Sequence, residues 1–181
     1  MPQFVVKSIV VIAAAMLSAA AVAQQPPAGT PASPGAAATS TAPPAPPQYG
    51  TPVTLEQAKK AAAAAEEEAK KNNWGMNIAV VGPSGHLVHF SRMDNAQFAS
   101  VDIAQHKART AATFRRPTKA FQDALAANPA NIYLITLDGV IASEGGIPIV
   151  ADGKLIGAMG CSGGTGQQDS QVCQAGVNAL K

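Results

Sequence analysis

The sequence predicts an α+β domain in which a mostly antiparallel sheet is flanked by helices. Strand-like runs come in pairs separated by short Gly-containing turns, which favours hairpins. Helical runs are grouped between these pairs, so the crossover helices that a parallel sheet requires are missing from the pattern. Residues 51–181 are enough for one ordinary hydrophobic core and too few for two. We therefore expect one folded domain behind an N-terminal extension.

The first 23 residues have the three parts of a secretory signal peptide. Lys7 is the positive start, Ile9–Ala15 is an apolar run, and Ala21–Ala23 offers a small-x-small cleavage site. The apolar run is shorter than the about 20 residues that a membrane-spanning helix needs. We therefore expect export to the periplasm or the medium, with no stable membrane insertion after cleavage. A buried N-terminal helix is the alternative interpretation.

Residues 24–50 form a Pro/Ala-rich segment without a charged side chain. It contains eight prolines and seven alanines, and Tyr49 is its only large side chain. Ordering such a segment costs conformational entropy without burying apolar surface. The composition therefore predicts a disordered, semi-extended linker. A ligand for an SH3-like partner is the alternative.

The charge of the chain is close to balanced. Thirteen Lys and Arg residues face eleven Asp and Glu residues, and removal of Lys7 with the signal peptide leaves twelve against eleven. A nearly neutral protein lacks the broad positive field that attracts nucleic acid or anionic membranes. Both classes of partner are therefore excluded as general ligands.

The first part of the domain predicts a helix and a hairpin. Thr54 and Gln57 have capping-box spacing, and the Ala-rich run after them predicts a helix to about Asn72. Asn77–Val81 and His86–Met93 predict two strands joined by a Gly-Pro-Ser-Gly turn. The predicted inner face of the helix is small, with Leu55, Ala58, Ala62, Ala65 and Ala69.

Two more helices are predicted in the middle of the domain. Ser100 is expected to cap a helix from Val101 to about Phe114, whose alanines allow close approach to a sheet. Thr118 is expected to cap a shorter helix that ends near Asn128.

The last part predicts three strands and a closing helix. Tyr133–Leu137 is strand-like in composition. The Gly-rich stretch Glu144–Val150 leads through Asp152-Gly153, a hairpin signal, into a strand over Lys154–Cys161. The helix is predicted over Gln168–Leu180.

Seven segments, in the same order over residues 53–180, resemble the GlcG/HbpS family, which includes the C-terminal domain of PduO-type proteins. Each segment is weakly specific alone, but the ordered set covers essentially the whole domain. The segments are Ile78–Val81 with Gly85–Val88, Arg92–Asp94, Asp102–Ala111, Arg116–Thr118, Gly145–Pro148, Asp152–Gly157, and Cys161–Thr165 with Gln168-Asp169.

The resemblance implies a profilin-like sandwich that often assembles into dimers and larger rings up to octamers. It also implies haem as a cofactor, since characterised members bind haem and some are described as iron-binding or haem-degrading. Other members lie beside glycolate or diol metabolism without a settled role. The resemblance defines the fold more closely than the function, because one fold hosts many sites.

Three histidines are candidate axial ligands to haem or another metal: His86, His89 and His106. His86 and His89 are three apart on a predicted strand and should face opposite sides, so they cannot chelate one ion together. His86 follows the turn and should be exposed, and His89 should share a face with Leu87 and Met93. His106 lies on the second helix, on the same side as Arg109 and Thr113. The alternative for each is a solvated or ordinary packed histidine.

Basic residues cluster in and after the second helix. This cluster could hold haem propionates or a small organic acid, because arginine pairs bidentately with carboxylates. A solvated helix face or salt bridges across a subunit interface explain it equally well. Lys107 and Thr110 lie in the family's Lys-Ala-x-Thr-Ala stretch, so the resemblance makes them candidate cofactor contacts. The cluster consists of Lys107, Arg109, Arg115, Arg116 and Lys119.

Two glycine pairs, Gly145-Gly146 and Gly163-Gly164, could let backbone amides approach a ligand or could serve turns alone. Glu144 beside the first pair could be a base or a metal ligand, or an ordinary loop acid. No catalytic constellation is evident in the sequence.

The chain contains two cysteines, Cys161 at the end of a predicted strand and Cys173 in the following helix. A strand-loop-helix return can bring residues twelve apart together, and export to an oxidising compartment favours a disulfide. Cys161 as a haem thiolate is the alternative.

We therefore carry three functional hypotheses. In the first, the protein is exported and sequesters, carries or senses haem. In the second, it is an enzyme or accessory factor that binds a small carboxylate such as a glycolate-like acid. In the third, it is a structural oligomeric scaffold.

Overall fold

The computed structural model describes residues 45–181. The predicted signal peptide and residues 24–44 of the predicted linker lie outside this range. The elements, in chain order, are β1 (Gln48–Tyr49), α1 (Leu55–Lys71), β2 (Asn77–Val81), β3 (Leu87–Arg92), α2 (Ser100–Thr113), α3 (Lys119–Ala127), a 3₁₀ helix (Pro129–Thr136), β4 (Gly146–Ala151), β5 (Lys154–Ser162) and α4 (Gly166–Asn178).

One open sheet forms the centre of the domain. Strand β5 pairs antiparallel with β4 on one side and with β2 on the other, and β2 pairs antiparallel with β3. The two-residue β1 adds a short parallel pairing at the start of β5. The predicted α+β sandwich with a mostly antiparallel sheet is confirmed.

Helices cover both faces of the sheet. Helices α1 and α4 pack on one face around Ile78, Val80 and Met159, and α2 packs on the other around Ala79, Val81 and Ala158. The approach of α2 is close, because a Cβ on Gly160 of β5 would lie 2.0 Å from the Ala104 carbonyl oxygen. The alanines of α2 therefore serve the close packing that the sequence predicted.

One of the three predicted helix caps is a side-chain cap, and the structure adds one at α4 that was not predicted. Thr54 and Gln57 form a capping box at α1, as predicted, and Thr165 and Gln168 form a second at α4. Ser100 does not cap α2, because its buried Oγ accepts a hydrogen bond from Ser162 Oγ at 3.1 Å. Thr118 also makes no side-chain cap, since its Oγ1 accepts from the Gly146 N–H at 2.8 Å. Tertiary partners compete successfully for both hydroxyls.

The small face of α1 contains the four alanines that were predicted and differs from the prediction at Leu55 and Ala61. Leu55 is 52% exposed, so its assignment to the inner face is wrong. Ala61 is buried with the other four predicted alanines. The inner face of α1 therefore consists of alanine alone, which lets the helix lie close to α4.

The strand predicted over Tyr133–Leu137 is wrong. Asn128 caps a 3₁₀ helix there through its Oδ1, which accepts from the Ala130 N–H at 2.9 Å, and Pro129 occupies the first position. The segment packs against α3 and leaves three large apolar side chains exposed: Ile132, Tyr133 and Ile135. Its β-branched composition suited a strand, but within residues 45–181 the segment has no sheet partner.

The hairpin between β4 and β5 has the turn that the sequence predicted. Asp152 and Gly153 both have positive φ, 49° and 73°, as a two-residue primed turn requires. Directly after this turn, β1 pairs with the first residues of β5, and β1 contains two residues that the sequence had placed in the linker. No helix of residues 45–181 is long and apolar enough to cross a membrane.

Candidate ligand site

One exposed row of side chains runs along α2. Because the alanines of this helix face the sheet, its outward residues recur every three or four positions as Asp102, His106, Arg109 and Thr113. We call this row the α2 face. His106 and Arg109 are three residues apart and hence neighbours on the helix surface. The α2 face thus presents the His106 imidazole next to the Arg109 guanidinium, as the helical spacing in the sequence predicted.

The turn between β2 and β3 packs directly on the α2 face. The Gly85 N–H donates to the Gly82 carbonyl, and the Gly82 N–H donates to the His86 carbonyl, each at 2.9 Å. Gly85 has φ +83°, and a Cβ there would lie 2.9 Å from Arg109 Cγ. Glycine is therefore required both for the backbone conformation and for the close approach to the helix. This packing places the turn, which His86 follows directly in the chain, against Arg109 of α2.

A shallow groove of about 420 Å³ lies where the turn meets the helix. We call it the turn groove; it is lined by Tyr49, Pro83, Ser84 and Thr113. The Tyr49 hydroxyl donates to the Thr113 carbonyl at 3.0 Å, which fixes the ring at the groove. Ser84 Oγ lies 2.9 Å from Nδ1 of the exposed His86. The groove therefore combines proline and aromatic surface with a neighbouring imidazole.

His89 lies away from the turn groove. It pairs with Val80, whose side chain faces α1 and α4, while Leu87 pairs with Val81 beneath α2. Residues paired across an antiparallel ladder share a face. The predicted shared face of His89 and Leu87 is therefore wrong, whereas Met93 packs on the same side as Val80, as predicted for His89 and Met93. A β-bulge between Val80 and Val81 shifts the register by one and reverses the side chain.

Lys107 and Thr110 lie in the core. Lys107 is 2% exposed, and its Nζ donates to Asp169 Oδ2 at 2.6 Å and to the Cys161 carbonyl at 3.2 Å. Thr110 Oγ1 donates to the Gly139 carbonyl at 2.7 Å and accepts from the Ile141 N–H at 3.0 Å. Both side chains therefore join α2 to other elements. Neither belongs to the α2 face.

The Lys107–Asp169 pair links α2 to α4 through the interior. Burial raises the pKa of the Asp169 carboxyl above its usual range, while the hydrogen bonds from Lys107 Nζ and the Gly164 N–H oppose this rise. Asp169 Oδ1 accepts from the Gly164 N–H at 3.0 Å. The carboxylate is thus bonded at both oxygens, as a buried charge must be.

The first glycine pair makes room for this ion pair. Gly145 has φ +120°, and a Cβ there would lie 2.7 Å from Asp169 Cβ and 2.9 Å from Lys107 Nζ. A Cβ on Gly146 would lie 2.4 Å from the Lys107 carbonyl oxygen. In the second pair, a Cβ on Gly163 would lie 2.1 Å from the Gly75 carbonyl oxygen. These three glycines serve close packing of the domain.

The predicted basic cluster divides into separate parts. Lys107 is buried, and exposed Lys119 pairs with Asp123 at 2.6 Å. Arg115 and Arg116 lie at a second groove of about 520 Å³. We call it the arginine groove; it is lined by Ala45, Pro46, Pro47, Arg115, Arg116, Pro117 and Ala120. The two grooves are neighbours, because the Arg115 guanidinium lies 5.2 Å from the centre of the Tyr49 ring.

Comparison with known proteins places this chain in a family. The family model described as "Haem degrading protein HbpS-like" matches residues 53–178, which is more than half of the chain. The chain belongs to the HbpS-like family. The resemblance to the GlcG/HbpS family in the sequence is thereby confirmed.

Relatives of this HbpS-like chain agree in sequence and in fold. Protein GlcG of Escherichia coli (strain K12) is 45% identical over 91 residues, which is 50% of this chain and 66% of GlcG. The crystal structure of HbpS superimposes with a TM-score of 0.68 and 34% identity, covering 74% of this chain and 94% of HbpS. A structure named as a PduOC:haem complex superimposes with a TM-score of 0.66 and 25% identity. The match covers 72% of this chain and 96% of the PduOC chain.

The HbpS-like domain contains the predicted disulfide. Cys161 and Cys173 are bonded, with a Cα–Cα distance of 5.6 Å, and both are buried. The bond joins the end of β5 to α4, beside the Lys107–Asp169 pair. The Cys161 sulfur is thus engaged in the disulfide, which argues against the alternative of a haem thiolate.

Metal-binding side chains do not converge within the part of the HbpS-like domain that the structure describes. No group of three or more His, Cys, Asp or Glu side chains in residues 45–181 could hold an ion. Glu144 is half-buried, and its backbone N–H donates to Gln122 Oε1 at 2.9 Å. A metal at His86 or His106 would therefore need further ligands from the cofactor itself, as haem provides.

One residue of the turn groove and one residue of the buried ion pair were missed in the sequence. Tyr49 was assigned to the linker because its neighbours are proline and alanine, yet it lines the turn groove. Asp169 was noted only within a family segment, although it is the partner of Lys107. A lone large side chain in a featureless segment was the available signal for Tyr49, and no local signal pairs Asp169 with a lysine 62 positions away.

Proposed function

We propose that this protein is an exported haem-binding protein that sequesters, carries or senses haem. The family match over residues 53–178 carries this proposal, together with the fold shared with the PduOC:haem complex. The chain spans just under two thirds of the length of the curated relative GlcG. The signal-peptide pattern of residues 1–23 supports export.

The residues in and around the turn groove have the chemical groups that haem binding requires. Haem requires apolar contact surface, an axial ligand and cations for its propionates. Tyr49 and Pro83 offer surface, exposed His86 offers an imidazole, and Arg109 offers a guanidinium beside the turn. His106 is the second imidazole on the same side of α2. When bound, haem supplies a redox-active iron that accepts one of these imidazoles.

Hydrogen bonding orients the proposed ligand. Of the two ring nitrogens of His86, only Nδ1 has a hydrogen-bond partner among residues 45–181. This partner is Ser84 Oγ. Such a contact fixes the orientation of the ring and leaves Nε2 for iron. His89 has a weaker contact, with Nε2 3.4 Å from Ser91 Oγ, and lies toward the opposite face of the sheet. We therefore rank His86 first, His106 second and His89 last.

Titration of the purified mature protein with hemin tests the proposal. We expect a shifted Soret band that saturates near one haem per subunit. His86→Ala should alter the spectrum, while His89→Ala, the matched control from the other face, should leave it unchanged. A titration without a spectral shift contradicts haem binding. A shift that survives replacement of His86 and His106 contradicts only the ligand assignment.

A small carboxylate is the second candidate ligand. The Arg116 guanidinium is exposed and has no carboxylate partner among residues 45–181. A thermal-shift screen against glycolate-like acids distinguishes the two functions, because a bound ligand raises the melting temperature by mass action. Stabilisation by an acid that is lost in Arg116→Ala, without a response to hemin, would favour the carboxylate.

We also propose that the domain assembles into a homo-oligomer, between a dimer and an octamer. The exposed apolar side chains of Ile132, Tyr133 and Ile135 support this, since contiguous apolar surface marks contact sites. Light scattering after gel filtration measures the mass. A monomer at micromolar concentration contradicts the proposal, and a mass that is unchanged in Ile132→Asp/Ile135→Asp assigns the contact elsewhere. A scaffold without a ligand would show assembly but no response to hemin or to acids.

A further inference from the structure

The last residues of the predicted linker lie against the end of α2. We call residues 45–49 the strap. Gln48 pairs with Lys154 and Tyr49 with Leu155, and the Gly50 N–H donates to the Leu155 carbonyl at 2.7 Å. A β-pairing of only two residues is weak, so side-chain contacts must contribute much of the free energy that holds the strap against the domain.

Two side-chain contacts hold the strap. The Tyr49 hydroxyl donates to the Thr113 carbonyl at 3.0 Å, and Arg115 Nη1 donates to the Pro47 carbonyl at 3.3 Å. The same guanidinium stacks on the Tyr49 ring, 5.2 Å from its centre. The Thr113 carbonyl lies in the last turn of α2, where carbonyls lack a hydrogen-bond partner within the helix. The Pro47 carbonyl lies in a proline-rich segment, whose extended backbone forms no internal hydrogen bonds.

The backbone of Arg115 is unusual in a way that matches this role. Its φ is +54°, in the left-handed region that glycine and asparagine occupy more easily. Glycine ends many helices at such a position, because it lacks the steric cost of a Cβ. Here an arginine occupies it, and its side chain makes both the hydrogen bond and the stack on the strap.

The strap forms a wall of both grooves of the site. Tyr49 lines the turn groove with Pro83, Ser84 and Thr113, and Pro46 and Pro47 line the arginine groove. The Tyr49 ring is half exposed, so one side of it remains open to a ligand. A planar amphipathic anion lying on the turn groove would meet this ring and, beside it, the cationic edge of α2.

We infer that the strap is part of the binding site, with Tyr49 as a ligand-contacting residue and Arg115 as the residue that positions it. The inference rests on the proposed function and extends it to a part of the chain outside the family match, which begins at residue 53. Ligand binding and attachment of the strap are then coupled, because each stabilises the same ring. Binding should consequently fix the end of the linker against the domain.

The test uses the mature chain, hemin as the probe and a matched control. Tyr49→Ala should weaken hemin binding about three- to tenfold, the range for loss of one aromatic contact. Arg115→Gly should weaken it in the same direction, since glycine accepts the backbone conformation while the guanidinium is lost. Phe98→Ala is the control, because Phe98 is 80% exposed, stacks under Arg92 at 4.9 Å and lies before the opposite end of α2. Tyr49→Phe keeps the ring and should bind within about twofold of wild type.

Amide hydrogen exchange of residues 48–51 gives a second readout. In wild type, hemin should slow exchange of these amides, and in Arg115→Gly it should slow them less. If wild type binds hemin but Tyr49→Ala binds as tightly as Phe98→Ala, the strap inference is overturned while haem binding stands. If wild type does not bind hemin, both are overturned. Circular dichroism confirms that each variant is folded.

Discussion

Lys107 Nζ and Asp169 Oδ2 lie 2.6 Å apart in the interior of the domain, with side chains 2% and 3% exposed. The pair joins α2 on one face of the sheet to α4 on the other. Lys119 and Asp123 are also 2.6 Å apart, but both are at least half exposed. Although the two ion pairs have equal distances, removal of one partner should cost more free energy of unfolding in the buried pair. The reason is that a charge left unpaired in the interior is not solvated by water.

Removal of one partner of the buried pair should destabilise the protein strongly. Asp169→Ala leaves the Lys107 ammonium without a counter-charge in the core, and we expect a loss of about 3 to 5 kcal/mol of unfolding free energy. Asp123→Ala is the matched control and should change the stability little. Urea unfolding measures both. Equal effects of the two substitutions would contradict a special role for the buried pair. Lys107→Met/Asp169→Leu should recover much of the loss, because no unpaired charge remains.

The buried carboxyl should make stability depend on pH. Burial raises the pKa of Asp169 above its ordinary value of 3.8, so the folded protein binds this proton more tightly than the unfolded chain does. The contribution of this carboxyl to the free energy of unfolding is fully present below pH 3.8, the ordinary pKa. It is lost as the pH rises through the raised pKa of the folded state. The stability of wild type relative to Asp169→Asn should accordingly fall with rising pH. Urea unfolding between about pH 3 and pH 7 measures this. A relative stability that rises with pH would show that Lys107 lowers the pKa of Asp169 more than burial raises it.

Glycines that meet backbone should tolerate no side chain. A Cβ on Gly160 would lie 2.0 Å from the Ala104 carbonyl oxygen, so Gly160→Ala must move α2 away from the sheet. We expect a loss of more than about 2 kcal/mol, as for other overpacked cores. Gly82→Ala is the control, because the nearest atom to its Cβ is Val88 Cγ2 at 4.0 Å. A thermal melt of both variants checks the contrast, and similar melting temperatures would argue that α2 is free to shift.

Loss of the disulfide should destabilise the domain without unfolding it. In the chain-entropy model, the bridge over this short loop contributes on the order of 3 kcal/mol. Cys161→Ala/Cys173→Ala should lower the free energy of unfolding by about this amount, as measured in urea. Thiol labelling of the wild-type protein under denaturing, non-reducing conditions should find no reactive cysteine. Two labelled thiols in protein prepared from an oxidising compartment would show that the bond does not form there.

Local patterns predicted most of the elements. The capping box of Thr54 and Gln57, the Asp152-Gly153 turn and the alanine spacing of α2 each depend on residues within a few positions of one another. Such signals survive folding because the atoms that satisfy them are close in the chain. The strand predicted at Tyr133–Leu137 failed for the opposite reason. A strand needs a partner, and β propensity alone does not supply one.

The sequence by itself determined the fold class, the family, most of the helices and strands, and the pairing of Cys161 with Cys173. These follow from periodicity, turn chemistry and motif order, which are properties of neighbouring residues. Only the tertiary structure decided that Lys107 is a buried partner of Asp169 rather than part of a basic surface. It alone placed Tyr49 at the turn groove, the turn before His86 against Arg109, and His89 on the side of the sheet that α1 and α4 cover. These relationships depend on a single-residue bulge, on a turn that packs against a helix and on contacts between distant residues, which helical or strand spacing does not encode.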